Sequence, residues 1–188
     1  MHDAYIIYDH LMRNDRVANL FGALVLAVSS EMENSIDQDV SLSEVHSAAL
    51  VTIAHHPDQS IDELRQIIKL SHSGAVRAVD RLVAGSLAVR AAGTDGRAVR
   101  LRVTQIGRRK VELILRARQA SHYTFISRLS PDEKRQLENV CRKLLSGVAE
   151  TPLEARRTCR LCDESICFAK GNCPVAIGLH AILEDESV

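Results

Sequence analysis

The sequence has no apolar run near the roughly 18 consecutive residues that a membrane span requires, and it opens on His2 and Asp3 where a secretory segment would be basic and then apolar. The expectation is a soluble, cytoplasmic protein with no membrane partner. Net charge is missing as well, because 24 Lys and Arg balance 24 Asp and Glu. That excludes a uniformly basic nucleic-acid binder, since phosphate binding is driven by cations that displace counterions. No nucleophile stands beside an evident base. The nearest candidates are His55 and His56, and a place at a helix C-terminus beside a turn accounts for them, so no enzyme is expected.

What is present is enough to bury a core: 188 residues, 46% hydrophobic and 26% charged, which fits one domain with an extension. The charge is neutral only on average. Between Ser71 and Lys110 stand nine Arg and Lys (Arg77, Arg81, Arg90, Arg97, Arg100, Arg102, Arg108, Arg109, Lys110) against Asp80 and Asp95. A segregated excess of this kind is either the footprint of an anionic polymer or a solvated face.

Proline is absent from residues 4 to 33, which read as one long helix. Ile7, Leu11, Ala18, Phe21, Val25, Val28 and Met32 recur at steps of three and four, with Asn14 on the same seam. A heptad seam with one polar member fits a contact between partner helices; Leu20 and Leu24 widen the face and leave packing within one chain as the alternative. After the polar stretch from Asn34 to Val40, Ser41 with Glu44 and Ser60 with Glu63 have capping-box spacing. They predict a second helix to about His55, before Pro57, and a third over Ile61–Ile68.

Ser71 is a candidate N-cap for a fourth helix reaching about Ala84. On it Ala75, Val76, Val79, Leu82 and Val83 fall inward, leaving His72, Ser73, Arg77, Asp80 and Arg81 on the outer side. Two short helices joined by a tight turn make a helix-turn-helix. The period then changes to two. Leu87, Val89 and Ala91 alternate, Gly93 to Gly96 supply a turn, and Val99, Leu101 and Val103 alternate again. This predicts a hairpin with Arg90, Arg100 and Arg102 on its other face and Arg97 near its tip. A helix from Thr104 to about Leu129 follows. Ser130, Pro131 and Glu133 then start another, expected to bury Leu137, Val140, Cys141, Leu144 and Val148, with Cys141 an ordinary core residue.

The order of these elements, together with LSHSGAVRAVDRLVAGSLAVR over Leu70–Arg90, the turn Asp95-Gly96-Arg97 and LRVTQIG over Leu101–Gly107, resembles the MarR family of multiple antibiotic resistance regulators across about residues 5 to 148. The resemblance implies a mainly α fold with a small β-hairpin wing, a winged helix-turn-helix held in an intertwined helical homodimer. It also implies a double-stranded, pseudo-palindromic DNA operator, most often a repressor's role, and an effector. Its boundaries would be a dimerisation helix over 1–40, a DNA-binding domain over 41–104, dimerisation helices over 105–150 and a tail over 151–188.

Carried over by position, Ser71, Ser73 and Arg77 fall where recognition-helix contacts lie, and Arg97 where the wing-tip arginine lies. His72 and Arg81 on the same helix face, and Arg100 on the hairpin, complete the candidate surface. Arg77 suits guanine edges or a phosphate, or alternatively an intrahelical pair with Asp80. Two departures stand out. Gly74 occupies the first turn of the recognition helix, and Gly96 replaces the arginine more usual before Arg97.

The tail carries Cys159-x-x-Cys162, then Cys167 and Cys173-Pro174. Four thiols in fifteen residues fit a metal site, with zinc first as the commoner structural ion and an iron–sulfur cluster second; free thiols or a disulfide are the alternative. Asp163 and Glu164 are expected to be solvated, and Arg156, Arg157 and Arg160 to offset thiolate charge. A short terminal helix is expected beyond Pro174. The signal controlling DNA binding would act at this site or be a small-molecule effector, in which case the tail is only a structural zinc clip.

Overall fold

The computed structural model of the chain describes residues 16–92, 99–168 and 173–176. Its first helix, α1 (Arg16–Val40), does not stop where the polar stretch predicts. Met32, Ile36 and Val40 recur at steps of four, so one stripe stays apolar through that segment, and Ile36 and Val40 are completely buried. The helix ends at Ser41, whose φ of 55° is left-handed. Ser41 therefore terminates one helix rather than capping the next, and the expected box with Glu44 does not form. Ser43 is the N-cap of α2 (Glu44–His55) and makes no side-chain bond to the helix amides. Its hydroxyl lies 2.6 Å from His46 Nδ1, and the Glu44 carboxylate turns to Arg160 at 3.4 Å. Seven consecutive residues of α2, Ser47 to Ile53, are buried, as befits a helix covered on all sides. The seam residues Ile7, Leu11 and Asn14 lie outside the described residues.

The predicted capping box opens α3 (Ile61–Ile67): Glu63 N donates to Ser60 Oγ at 3.1 Å, and Ser60 N donates to Glu63 Oε2 at 2.7 Å. The helix closes through a left-handed Lys69 (φ 54°), where Leu70 N donates to Arg65 O at 3.0 Å. Directly after that turn comes α4 (His72–Ala84), capped by Ser71, whose Oγ accepts from Gly74 N at 3.1 Å. Ala75, Ala78, Val79 and Leu82 are buried. His72, Ser73, Arg77, Asp80 and Arg81 are exposed, so the helical spacing placed the outer face correctly.

Strands β1 (Ala88–Ala92) and β2 (Val99–Val103) pair antiparallel; their turn, with Asp95, Gly96 and Arg97, lies outside the described residues. The register corrects one expectation. Val89 is opposite Arg102, Arg90 opposite Leu101, and Ala91 opposite Arg100. Directly opposed residues project from the same face of a sheet, so Arg90 shares the Leu101 face while Arg100 and Arg102 share the Val89 face. Val89, expected inward, is 44% exposed, whereas Leu101 is completely buried. With Ala88, Ala91 and Ala92 in one strand the alternation is a weak guide, and tertiary anchoring decides. Gln59 bridges the far edge of β2: Leu101 N donates to Gln59 O and Asp58 N to Leu101 O, each at 3.0 Å.

From β2 the chain runs straight into α5 (Gln105–Ile126), N-capped by Thr104. Thr104 Oγ1 accepts from Gly107 N at 2.9 Å and donates to Ser86 O at 2.6 Å, while Thr104 N donates to Leu87 O at 3.0 Å. These bonds draw the first turn of α5 onto the base of the hairpin. Helix α1 packs along α5, and α6 (Pro131–Leu145) opens on the predicted Ser130–Glu133 box. Its expected burial fails. No residue of α6 is buried, Val140, Leu144 and the following Val148 are about half exposed, Leu137 is half-buried, and Cys141 is exposed rather than in the core. Phe21 and Val25 of α1 are likewise half exposed. An apolar period shows that a helix has a face to cover, not which chain covers it.

Thr151 and Pro152, where the tail was expected to begin, start a helix. In α7 (Pro152–Cys159) the box is formed by Thr151 and Glu154, with Glu154 N to Thr151 Oγ1 at 3.3 Å and Thr151 N to Glu154 Oε2 at 3.1 Å. A short α8 (Glu164–Phe168) follows. The segment does not stand apart: α7 packs on α3, and Leu161 joins the main core. Of the terminal helix expected beyond Pro174, residues 174–176 are helical, and the rest lies outside the described residues. Among the described residues, no helix is long and apolar enough to cross a membrane.

Candidate functional site

The exposed face of α4 begins at its cap. Ser71 Oγ lies 3.3 Å from Ser73 Oγ, and a Cβ added at Gly74 would sit 3.1 Å from Ser71 Oγ. Gly74 therefore leaves room for a tight serine cap, which offsets the roughly 1 kcal/mol that a helical glycine costs against alanine. One turn on, Arg77 makes no ion pair among the described residues. The alternative of a pair with Asp80 is not realised, because Asp80 is held by Arg90 from β1 at 2.8 Å. Arg81 is also without an ion pair among the described residues. It adds to the lowering of the His46 pKa, which burial causes first and the Arg81 charge second. Arg108 and Arg109 in the first turn of α5 are exposed too.

The hairpin arginines are differently placed. Arg102 grips Asp58 through Nε to Oδ1 at 2.5 Å and Nη2 to Oδ2 at 2.9 Å. Arg100 Nη1 donates to Asp58 O at 3.1 Å and lies 4.0 Å from Glu63. Two acids outside the basic segment thus neutralise part of its charge and tie β2 to the turn before α3. Sequence reasoning missed both partners, since a separation of 44 residues between Asp58 and Arg102 leaves no local signal. Of the sequence-predicted DNA-contacting residues, Ser71, His72, Ser73, Arg77 and Arg81 are brought together on one exposed face. Arg100 is part-buried against Asp58 and Glu63, and Arg97 lies outside the described residues.

Asp58 sits at φ 66°, a left-handed conformation that Asp and Asn tolerate. Its carboxyl is held below the usual carboxylate range chiefly by the hydrogen bond from Arg102. A carboxyl whose folded pKa is depressed contributes stability above its unfolded value, 3.8 here, and loses it as pH falls through the folded value. Asp58→Asn keeps the backbone preference and removes the charge. We expect it to speed hydrogen exchange at the Leu101 amide at pH 7, with the difference from the parent protein shrinking as the pH falls through the depressed Asp58 value; equal rates at pH 7 would mean that the clamp does not anchor the hairpin.

The second constellation is the cysteine cluster. Cys159 ends α7, and the chain folds back so that Cys162 N donates to Cys159 O at 2.8 Å. The Cys159 and Cys162 thiols are within hydrogen-bonding reach of each other. That contact is the first cause raising Cys159, and the first cause lowering Cys162 to about 6; burial opposes the latter shift, and Arg118 and Arg160 assist it. The two thiols titrate as a pair. Cys167 is raised first by burial and then by the charges of Cys162 and Cys173. Cys173 is buried with Ala149 and Val175, and Cys159 and Cys167 pack against them.

The structure thus brings all four predicted cysteines into one neighbourhood. As the side chains stand, no group of three or more His, Cys, Asp or Glu among the described residues is arranged to hold a metal ion. Glu164, expected to be solvated, is only 27% exposed and lies 3.6 Å from His55 Nδ1 and 3.8 Å from His56 Nε2. Arg157 Nε donates to Gln66 O at 2.9 Å. Of the three arginines expected to offset thiolate charge, Arg160 acts on Cys162, and Arg118 of α5, which no local pattern marks, acts before it.

Residues 39–98 match the model of the MarR family. No curated protein matches the chain in sequence. Among solved structures, the chain is similar to the YusO protein from Bacillus subtilis, with 24% identity and a TM-score of 0.61 over 72% of this chain and 95% of that one. It is similar to MepR, a transcription regulator of the Staphylococcus aureus multidrug efflux pump MepA, with 16% identity and a TM-score of 0.62 over 70% and 98%. A Mycobacterium tuberculosis MarR family protein in complex with p-aminosalicylic acid shares 18% identity and a TM-score of 0.52 over 65% and 96%. At these identities the likeness establishes the fold, which is mainly helical with a two-stranded antiparallel hairpin, of the MarR winged-helix type.

Proposed function

We propose that the chain is a sequence-specific DNA-binding transcription regulator that acts as a homodimer, with α4 entering the major groove and the hairpin reaching the neighbouring minor groove. The observation that carries this is the state of Arg77 and Arg81. Both guanidinium groups project from the outer face of α4 without an ion-pair partner among the described residues, while the nearby Asp80 is withdrawn by Arg90. A surface arginine beside a serine-capped helix start suits a duplex, because the capped N-terminus and the hydroxyls favour phosphate and the guanidinium reaches base edges. Ser71, His72 and Ser73 would position the helix on the backbone, and Arg97 and Arg100 would serve the wing. The match over residues 39–98 supports the same reading.

Dimerisation follows from the apolar surface that one protomer leaves uncovered. Among the described residues, Phe21, Val25 and Leu24 on α1, with Val140 and Leu144 on α6, are 46% exposed or more, and a second copy supplies cover for them. Two α4 helices related by a two-fold axis read two half-sites. The regulator is a repressor by analogy with the family, and its signal is either a small-molecule effector, such as the organic acid bound to the M. tuberculosis protein, or an event at the cysteines. Either signal must favour one dimer geometry over the other to act.

Selection of bound fragments from genomic DNA with purified protein tests this reading. We expect enrichment of a two-fold symmetric sequence whose half-site centres are about 10 base pairs apart, or a multiple of that. Recovery of fragments with no shared symmetric sequence would overturn it.

A further inference from the structure

We infer that Cys159, Cys162, Cys167 and Cys173 form a four-thiolate site for one thiophilic metal centre, and that this centre fastens the α7–α8 segment to the helix-turn-helix. The lobe that carries them is small. Helices α7 and α8 span eight and five residues, far below the length at which an isolated helix is stable in water. The cluster beneath them has only Ala149, Cys173 and Val175 fully buried, with Leu145, Ala155, Cys159, Cys167 and Ala176 packed around it. Apart from Leu153 and Leu161, which reach the main core, the segment has little apolar burial of its own, and small lobes of this kind are ordinarily stapled by metal or disulfide.

The donor set is of one chemical kind. Three of the eight side chains of this cluster are thiols from separate parts of the segment, and the fourth, Cys162, is hydrogen-bonded to one of them. A Cys-x-x-Cys turn followed by two further thiols supplies four soft donors of one kind, the set that satisfies tetrahedral zinc or an iron–sulfur cluster and suits Mg²⁺ or Ca²⁺ poorly. Arg118 and Arg160 stand near Cys162, so the excess negative charge of four thiolates around a divalent ion meets cations already in place. Binding would close the present open arrangement of sulfurs onto one centre.

The lobe is also tied to the helix-turn-helix. Arg157 bonds the Gln66 carbonyl of α3, Arg160 reaches Glu44 at the start of α2, Glu164 faces His55 and His56 at its end, and Leu161 lies in the main core. Helices α2 and α3 are the supports from which the turn into α4 departs. Order in the cysteine lobe is therefore order in the platform of the recognition helix, and the site couples metal occupancy to DNA affinity. That coupling rests on the regulator reading above; the metal site does not.

The test uses the full chain purified without oxygen, metal analysis and an absorption spectrum, followed by additions of Zn²⁺ alone or of ferric iron with sulfide and a thiol reductant. We expect one zinc per chain, or visible charge-transfer absorption in the iron–sulfur arm, with a raised thermal midpoint in whichever arm is right. Cys162→Ser and the half-buried Cys167→Ser should each weaken binding on the order of a hundredfold or more, and Cys141→Ser on α6 should leave it unchanged. A chain that binds neither, that forms a Cys159–Cys162 disulfide in preference to binding metal, or whose binding survives Cys162→Ser and Cys167→Ser overturns the site. If metal binds and its removal leaves the affinity for a selected DNA fragment unaltered, the coupling is overturned. If metal binds and no DNA fragment is selected, the site stands and the regulator reading fails.

Discussion

Gly107→Ala should lower stability by about 3 kcal/mol and the thermal midpoint by about 6–12 °C, although it adds one methyl group to a helix. A Cβ built on Gly107 would sit 1.9 Å from the Leu87 carbonyl oxygen and 2.9 Å from its carbon. Both atoms are backbone, so no side-chain rotation relieves the clash. The same carbonyl accepts Thr104 N at 3.0 Å, and Thr104 Oγ1 both caps Gly107 and holds Ser86 O. Moving α5 off the hairpin base therefore breaks the joint that sets where the wing sits relative to α4. Gly85→Ala is the control. Its added Cβ would meet Arg81 O at 3.4 Å, an ordinary approach, and its midpoint should stay within about 2 °C of the parent. Equal melting of the two variants in a calorimetric scan would show that the close approach of α5 to Leu87 is not a constraint on the fold.

Gly107 was visible in the sequence only as the end of a family-like stretch, and its reason was not. Local features were legible throughout. The Ser60–Glu63 and Ser130–Glu133 boxes, the Ser71 cap and the outer face of α4 all follow from spacing within one turn of helix. What failed was each inference that needed a partner from elsewhere in the chain or beyond it. The hairpin register depends on Gln59 and Asp58, about forty residues away. The exposure of α6 depends on what packs against it, which its own period cannot state. Two misses were avoidable. Ile36 and Val40 continue the stripe of α1, and Thr151-Pro152-Leu153-Glu154 repeats the pattern of Ser130-Pro131-Asp132-Glu133. Of the candidate site, the four cysteines and the α4 face were readable, whereas the acids that quench the hairpin were not. That last difference changes the electrostatic argument. A run of nine basic residues is less positive in space than in sequence, and among the described residues the outward charge without an ion pair stands on Arg77 and Arg81, with Arg108 and Arg109 beyond them.

Arg77→Ala carries the largest functional effect for that reason. If each Arg77 contributes about 2 kcal/mol to base or phosphate binding, a symmetric dimer loses about 4 kcal/mol, or roughly a thousandfold in affinity for the selected site. The way in which affinity falls tells the two modes apart. A guanidinium on guanine edges gives relaxed preference at one position in each half-site, with little change in salt dependence. One on phosphate gives weakening across all sequences and a salt slope shallower by about one for each phosphate no longer neutralised. Folding should be untouched, since Arg77 is exposed and has no ion pair among the described residues to give up, and an unchanged melting curve separates a DNA-binding defect from a folding defect. Arg90→Ala provides the contrast: it frees Asp80, whose carboxylate is now held at 2.8 Å, one helical turn from Arg77. An unpaired acid on that face opposes phosphate and offers Arg77 a competing partner, so this variant too should bind DNA more weakly, although Arg90 itself touches no base. Arg77→Ala binding the selected site as tightly as the parent would show that α4 does not face the duplex.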